Sequence, residues 1–313
     1  MQEYLLQLHN ALLAKGIWPS CLKHAIIVPV PKPGGGYRPI SLLTTFGKIM
    51  ERIFTKRLRE LDIIRPNQFG CTAGLSVQHA LLRLLHASAM AHVKQQHFGC
   101  VLLDFSKAYD RVQHDTLLLK MDRLGVPGYL LRFIAAWLEG RTFEVNFCST
   151  RSNVYTARQG LPQGSPLSVI CFLCYVQDLD VDNETSNLSV DDTACWQSAP
   201  SLKELQTGLQ AQLDRISHWC ALNHVVINPL KTQFIMNSMD PTVQLQLVGS
   251  TITAASSAKY LGVDLKSYEF GDLIQFDLKR VTASMRRRNA LLKCLRWKLP
   301  TKQLHIFTSS QLV

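Results

Sequence analysis

Cys100-Val-Leu-Leu-Asp-Phe-Ser-Lys-Ala-Tyr-Asp110 is the stretch on which the reading of this chain turns. Four apolar residues, Cys100 to Leu103, have the length and character of a buried strand, and the run ends on a carboxylate, Asp104. Two further segments follow in order. In Gln159-Gly-Leu-Pro-Gln-Gly-Ser-Pro-Leu-Ser168, Pro162 and Gly164 break the chain before a helix expected from Pro166 to about Asp178. Asn187-Leu-Ser-Val-Asp-Asp-Thr-Ala-Cys195 reads as a tight β-hairpin that carries a carboxylate pair, Asp191 and Asp192.

The bulk numbers set the frame for these segments. With 313 residues the chain can bury a full core and hold two or three subdomains. Hydrophobic residues make up 47% and charged residues 18%, a globular composition rather than a disordered one. A formal charge of +11 and a pI near 9.3 favour a polyanionic partner, nucleic acid first and an acidic membrane second. Nine scattered cysteines, an odd number, fit a reducing compartment better than a disulfide framework. Cys171 and Cys174 sit in the apolar run from Val169 to Val176, with no second pair or histidine at zinc spacing, and read as buried helix residues. That run falls short of the roughly 20 residues a bilayer requires. No basic segment followed by an apolar one opens the chain, so neither a signal peptide nor a membrane span is expected.

Outward from the three segments, periodicity predicts a helix over residues 1–15, a strand from His24 to Val30 and a turn-rich loop from Pro31 to Pro39. Helices follow over 46–58, with Phe46, Ile49, Met50, Ile53, Phe54 and Leu58 at the spacing of one buried face, and over 75–93. Pro127 opens another helix, and β-like runs surround Phe143 and Val154. Ser201 caps an amphipathic helix that ends at Leu222. Short strands are expected at 225–227, 233–236, 243–247 and 260–263, and a basic helix from Asp272 to about Lys298. Helices and strands mix without a βαβ rhythm, which points to an α+β architecture with an antiparallel sheet backed by helices.

Asp104, Asp191 and Asp192 are all oxygen donors. Magnesium takes such ligands and keeps water and substrate phosphates in its shell, so two or three carboxylates suffice to hold it. In-line displacement at an α-phosphate by a primer 3′-hydroxyl uses one cation to lower the hydroxyl's pKa and another to neutralise the leaving pyrophosphate. Successive strand residues point to opposite faces, so one member of the 191/192 pair should face Asp104 squarely. Taken singly, Asp104 reads more readily as a strand-end turn residue, and Asp191 and Asp192 as a hairpin tip, than as metal ligands. In this order, with the Gly/Pro loop between them, the three point to a polymerase palm.

Segments outside the carboxylates extend the pattern: Trp18-Pro, Tyr37-Arg-Pro-Ile-Ser41, Asn67-Gln-Phe-Gly70, Gly125-Val-Pro127, Leu138-Glu-Gly-Arg-Thr142 and Lys259-Tyr-Leu-Gly-Val263. With them, the chain from about Trp18 onward resembles the reverse transcriptase of LINE-type (non-LTR) retrotransposons. The resemblance implies a right-hand polymerase fold: a fingers-like segment over 1–98, a palm over 99–265 and partial thumb-like helices over 266–313. It implies an RNA-directed DNA polymerase that copies an RNA template from a DNA primer with deoxynucleoside triphosphates, using two Mg²⁺ ions, for which Mn²⁺ can substitute. It also implies a nuclear or cytoplasmic ribonucleoprotein inside the cell.

Residue by residue, the resemblance makes Asp104, Asp191 and Asp192 the catalytic metal ligands. Asp191 is favoured to face Asp104, and Asp192 is a weaker ligand or orients the hairpin. Lys231, in Asn228-Pro-Leu-Lys-Thr232, is either a general acid for pyrophosphate or a loop ion pair. Tyr109 gates the ribose against a 2′-hydroxyl, beside Phe105 in the nucleotide site. Lys32 and Arg38 grip the triphosphate. Gln163 and Gly164 touch the nucleotide, and Gly160, Pro162 and Ser165 the template side, Ser165 serving also as a helix N-cap. Lys259, Tyr260, Leu261 and Gly262 match the primer grip. Arg286 and Arg287 either follow a phosphate backbone or belong to a solvated face. Asp110 reads as a helix N-terminal charge or ion-pair partner rather than a metal ligand.

The chain departs from the family in places. Ser189-Val-Asp-Asp192 stands where Tyr-Ala-Asp-Asp is usual, which removes a ring beside the primer terminus and adds bulk to a tight turn, at roughly 1–3 kcal/mol where space is short. Thr72 and Leu75 replace basic residues, and Val169 stands where proline is frequent. The ends read as clipped, with no endonuclease expected before residue 1 and the thumb expected to be cut short at Val313. These features define a second expectation: a truncated, weakened or inactive element remnant that only binds nucleic acid.

Overall fold

The computed structural model describes residues 2–32, 35–238, 240–266 and 275–276. The helices are α1 (Gln2–Lys15), α2 (Thr45–Arg59), α3 (Val77–Val93), α4 (His114–Arg123), α5 (Gly128–Leu138), α6 (Pro166–Tyr175) and α7 (Leu202–Leu222). The strands are β1 (His24–Pro31), β2 (Tyr37–Leu42), β3 (His97–Leu103), β4 (Thr142–Phe147), β5 (Thr150–Arg151), β6 (Tyr155–Thr156), β7 (Ser186–Ser189), β8 (Asp192–Ala199), β9 (Gln233–Met236), β10 (Gln244–Leu247), β11 (Ser250–Thr253), β12 (Ser257–Tyr260), β13 (Val263–Lys266) and β14 (Gln275–Phe276). None of the described helices is long and apolar enough to cross a membrane.

Contacts divide the chain into two units. The first comprises Met1–Arg65, Ser106–Leu179 and Cys220–Val226, and the second Pro66–Phe105, Asp180–Trp219 and the described residues from Ile227 on. The first unit holds a sheet ordered β2-β1-β4-β5, with β6 also on β4, and helices that pack on one another, α2 on α6, α4 on α5 and α6, and α1 on α5. Helix α2 forms because Met50, Phe54 and Leu58 recur at four-residue spacing on the buried face, whereas Ile49 and Ile53, expected on that face, lie at its margin and are exposed. Thr44 caps its start by accepting from Gly47 N at 3.2 Å. Phe54 stacks on Phe133 of α5, and Trp18 meets Phe133 edge-on.

Two elements of this unit differ from the sequence reading. The expected loop to Pro39 is strand from Tyr37, paired antiparallel to β1 from Pro31↔Tyr37 to Ile26↔Leu42. Pro39 faces Pro29 there, and β2 tolerates its missing N–H because it is the edge strand. Helix α4 was not expected. Leu117 and Met121 give it a short apolar stripe, but Lys120 also turns inward, its Nζ donating to Tyr175 O at 2.9 Å and meeting Asp178 at 2.5 Å. Cys171 and Cys174 are buried in α6 as expected, and burial pushes the Cys174 thiol up to about 12.

The second unit is built on an antiparallel sheet ordered β7-β8-β3-β9. Strand β3 lies between two partners, and Phe98 to Leu103 are all buried, which is why that run reads as continuously apolar rather than alternating. One core cluster joins Leu84 and Ala91 of α3 to Phe98, Cys100 and Leu102 of β3 and Trp196 of β8. Gly99 leaves room for α7, since a Cβ there would lie 2.9 Å from Leu209 Cδ1. The hairpin from β7 to β8 is present and runs beyond its expected limits. Residues 225–227 form no strand; Ile227 makes an isolated bridge to Phe105. Leu261 and Gly262, expected inside a strand, are the turn joining β12 to β13, with φ of 48° and 82°. The basic helix expected from Asp272 lies outside the described residues, apart from Gln275 and Phe276, which pair with β13 as β14.

Candidate active site

In the second unit, β3 and β8 pair up to Leu103↔Thr193, so one further step along the register sets Asp104 across from Asp192. Ser189 pairs with Asp192, which leaves Val190 and Asp191 as a two-residue turn. Asp192, and not the favoured Asp191, is thus the residue that the register sets across from Asp104, because strand alternation ends before the turn. Val190 has a left-handed φ of 63°, rare for a β-branched residue. Asp191 and Asp192 are exposed and Asp104 is half-buried. Atoms packed behind Asp192 partly desolvate it; this, followed by the charges of Asp191 and Asp104, lifts its carboxyl pKa to about 6. The three carboxylates therefore share one negative field.

Among the described residues, no three His, Cys, Asp or Glu side chains form a ready-made metal cage. The donors at this field are carboxylate oxygens alone and too few to complete a shell. Such a set fits a hard cation that retains water and takes phosphate oxygens. Lys231 stands beside it, Nζ 4.0 Å from Asp104 Oδ2. The backbone explains that placement. Asn228 N donates to Asp104 O at 2.8 Å, and Asn228 O in turn accepts from Lys231 N, Thr232 N and Thr232 Oγ1. The Asn228–Thr232 turn is thus tied to the end of β3.

The first unit holds the Gly/Pro loop. Gly160 (φ 83°) and Gly164 (φ 119°) both sit where a Cβ would meet a carbonyl oxygen at 2.9 Å, of Asp110 and Ser41 respectively. Gln163 is fixed at both ends: its Nε2 donates to Asp110 Oδ1 at 3.1 Å, and its carbonyl accepts from Ser41 N at 2.7 Å. Asp110 lies in the short 3₁₀ turn Tyr109–Arg111. Ser165 caps α6 by accepting from Leu167 N and Ser168 N, as expected of an N-cap. It also donates to Glu51 Oε2 at 2.7 Å, and Glu51 Oε1 accepts from Trp137 Nε1 at 3.0 Å. Burial raises the Glu51 pKa, opposed by those hydrogen bonds and by Arg141 and Lys48.

Sequence reading missed Glu51. Its one signal is an acidic residue on the apolar face of α2, next to Met50 and one turn before Phe54. Tyr109 stacks on Phe172 with ring centroids 4.7 Å apart, and its carbonyl accepts from Leu161 N. The loop borders a cavity of about 410 Å³, lined among others by Ile27, Pro39, Ser41, Asp110, Arg158 and Gln163.

The sequence-derived residues therefore fall into two groups. The second unit carries Asp104, Asp191, Asp192 and Lys231, with Lys259, Tyr260, Leu261 and Gly262 on the β12–β13 hairpin. Tyr260 is buried there, and Lys259 N donates to Gln233 Oε1. Phe105 is buried against Ile227. The first unit carries Lys32 and Arg38 as exposed residues near the β1–β2 connection, with Tyr109, Gly160, Pro162, Gln163, Gly164 and Ser165. Arg286 and Arg287 lie outside the described residues.

Comparison with known proteins gives this arrangement its class. The family model described as reverse transcriptase (RNA-dependent DNA polymerase) matches residues 30–265, and the chain belongs to that family. It is 31% identical over 323 aligned positions to a probable RNA-directed DNA polymerase from transposon BS of Drosophila melanogaster, covering 96% of this chain and 35% of that protein. It is 30% identical to the RNA-directed DNA polymerase from mobile element jockey of Drosophila funebris, covering 84% of this chain and 31% of that protein. These relatives place it among the non-LTR retrotransposon reverse transcriptases. The chain spans about a third of the length of the relatives it matches. Among solved structures, telomerase from Candida tropicalis in complex with a fragment of telomeric RNA superposes with a TM-score of 0.58 at 14% identity, covering 89% of this chain and 49% of that one. That likeness shows the α+β polymerase fold.

Proposed function

We propose that this chain synthesises DNA on an RNA template, joining a deoxynucleotide to a DNA primer 3′-hydroxyl and releasing pyrophosphate. The observation that carries the reading is Asp104 at the end of a central strand, in register with a hairpin bearing Asp191 and Asp192, in a member of the reverse transcriptase family. The primer oxygen forms a bond to the α-phosphorus as the bond to the bridging oxygen breaks. The hydroxyl proton leaves to solvent, and the pyrophosphate takes up a proton. Two Mg²⁺ ions, or Mn²⁺ in their place, would neutralise phosphate charge and activate the hydroxyl when bound, with Asp104, Asp191 and Asp192 holding them.

The chain's own groups do the rest. Lys231, held beside Asp104 by the Asn228 turn, is the proton donor to pyrophosphate. Tyr109, braced face-to-face by Phe172, forms a rigid floor that excludes a ribose 2′-hydroxyl. Gln163, oriented by Asp110, presents its backbone and side chain to the incoming nucleotide. Lys32 and Arg38 bind the triphosphate, and the Lys259–Gly262 turn steadies the primer end. Family membership and the polymerase relatives support synthesis over binding alone.

Single-nucleotide extension of a DNA primer on an RNA template tests this reading. The chain is expected to incorporate dNTPs and reject rNTPs, and Tyr109→Val to admit rNTPs at least about tenfold better, since one lost steric contact is worth ~1–3 kcal/mol. Equal use of rNTPs by the unaltered protein would contradict a DNA polymerase. Binding without any extension would favour the remnant instead.

A further inference from the structure

The segment Asn67-Gln-Phe-Gly70 is marked by the sequence but given no task in the chemistry above. In the second unit it lies along β7. Leu188 N donates to Asn67 O at 2.8 Å, Phe69 N donates to Leu188 O at 2.7 Å, and Asn67 Nδ2 donates to Ser186 Oγ at 2.8 Å. Gln68, only 1% exposed, turns its side chain to the tip of the hairpin. Its single oxygen accepts from two backbone amides at once, Val190 N and Gly70 N, each at 3.0 Å.

Gly70 completes the fit by having no side chain. A Cβ there would lie 2.7 Å from Val190 N and 2.8 Å from Val190 Cγ2. The gripped residue is the one with left-handed backbone, and Asp191 follows it directly. A β-branched residue in that conformation persists only where its surroundings hold it. One buried oxygen, joined to two amides on separate segments, does that here.

We propose that Gln68 is a positioning residue: its side-chain oxygen locks the Val190–Asp191 turn and thereby sets the affinity of Asp104, Asp191 and Asp192 for a divalent cation. This rests on reading those carboxylates as the metal-holding site. Groups that orient metal ligands from behind are worth roughly 10–100-fold in affinity or activity, whereas a residue that only fills space would leave affinity unchanged once the fold is intact.

The test uses the full chain, Mn²⁺ titration followed by electron paramagnetic resonance, and backbone hydrogen exchange. Gln68→Met keeps the length and removes the acceptor; Gln68→Glu keeps an acceptor oxygen. In Gln68→Met, exchange at Gly70 and Val190 is expected to quicken and Mn²⁺ affinity to fall by about tenfold or more, while β3 amides stay protected. In extension assays its kcat should fall with KM for the dNTP unchanged, and Gln68→Glu should restore slow exchange at both amides.

If Gln68→Met fails to fold, Gly70→Ala takes its place, displacing the turn while keeping Gln68, with the same loss of Mn²⁺ affinity expected. Unchanged exchange, unchanged Mn²⁺ affinity, or an unaltered protein that binds no Mn²⁺ at the carboxylates overturns the proposal. Should Mn²⁺ binding and exchange respond as expected in a protein that never extends a primer, the polymerase reading fails and the clamp stands. Should Gln68→Met bind Mn²⁺ and extend like the unaltered chain, the clamp fails and the polymerase reading stands.

Discussion

Asp192 is held at an electrostatic cost, with a pKa near 6 caused by partial desolvation and by the charges of Asp191 and Asp104. A raised folded-state carboxyl pKa means that the native protein binds the proton more tightly than the unfolded chain. The group is thus neutral to stability below its unfolded value and destabilises increasingly as pH rises from there through about 6. Asp192→Asn should raise the melting temperature at pH 7.5, and the gain should vanish as pH falls below the ordinary carboxylate range. A pH-independent difference in thermal melts would contradict the shared field. Val190, at φ 63°, stores about 1–3 kcal/mol. Val190→Gly should recover on the order of 1 kcal/mol in denaturant unfolding, after the extra chain entropy of glycine is subtracted; a loss of stability would show that no strain resides there. At this scale the end of β3 at Asp104, the chain break at Gly164 and the Ser165 cap were legible in the sequence as backbone features. It was silent on Glu51, because a buried carboxylate is satisfied by Trp137 and Ser165, partners 86 and 114 positions away.

Elements were legible where local pattern and tertiary setting agree. The apolar run of β3 marks a strand flanked on both sides, and Met50, Phe54 and Leu58 mark the buried face of α2. They were hidden where a single residue breaks the pattern for a distant reason. Pro39 disguises β2, tolerable only because that strand is at the edge, and the inward Lys120 disguises α4 by reaching Tyr175 and Asp178. Helices α2, α5 and α6 converge on Glu51, which binds Trp137 and Ser165 together. Glu51→Leu should therefore cost about 2–4 kcal/mol in denaturant unfolding, since it strands two donors and leaves the Arg141 charge uncompensated. Ser165→Ala, which loses the cap of α6, should cost nearer 1 kcal/mol. Equal costs would mean that Glu51 contributes only through Ser165.

At the scale of the whole molecule, a formal charge of +11 matches the polyanionic partner that the family reading requires. Template–primer affinity should fall steeply with salt, log K declining linearly with log salt as phosphate contacts release counterions. Binding that ignores salt would contradict a phosphate-tracking surface. The measurement closest to the central claim is extension of a DNA primer on an RNA template with Mg²⁺, comparing the unaltered chain with Asp191→Ala at matched template–primer occupancy. Extension is expected from the first and at least a thousandfold loss in the second, roughly 4 kcal/mol of transition-state stabilisation, with binding retained. Equal extension by both proteins would contradict the placement of catalysis at the Asp104 and Asp191–Asp192 carboxylates.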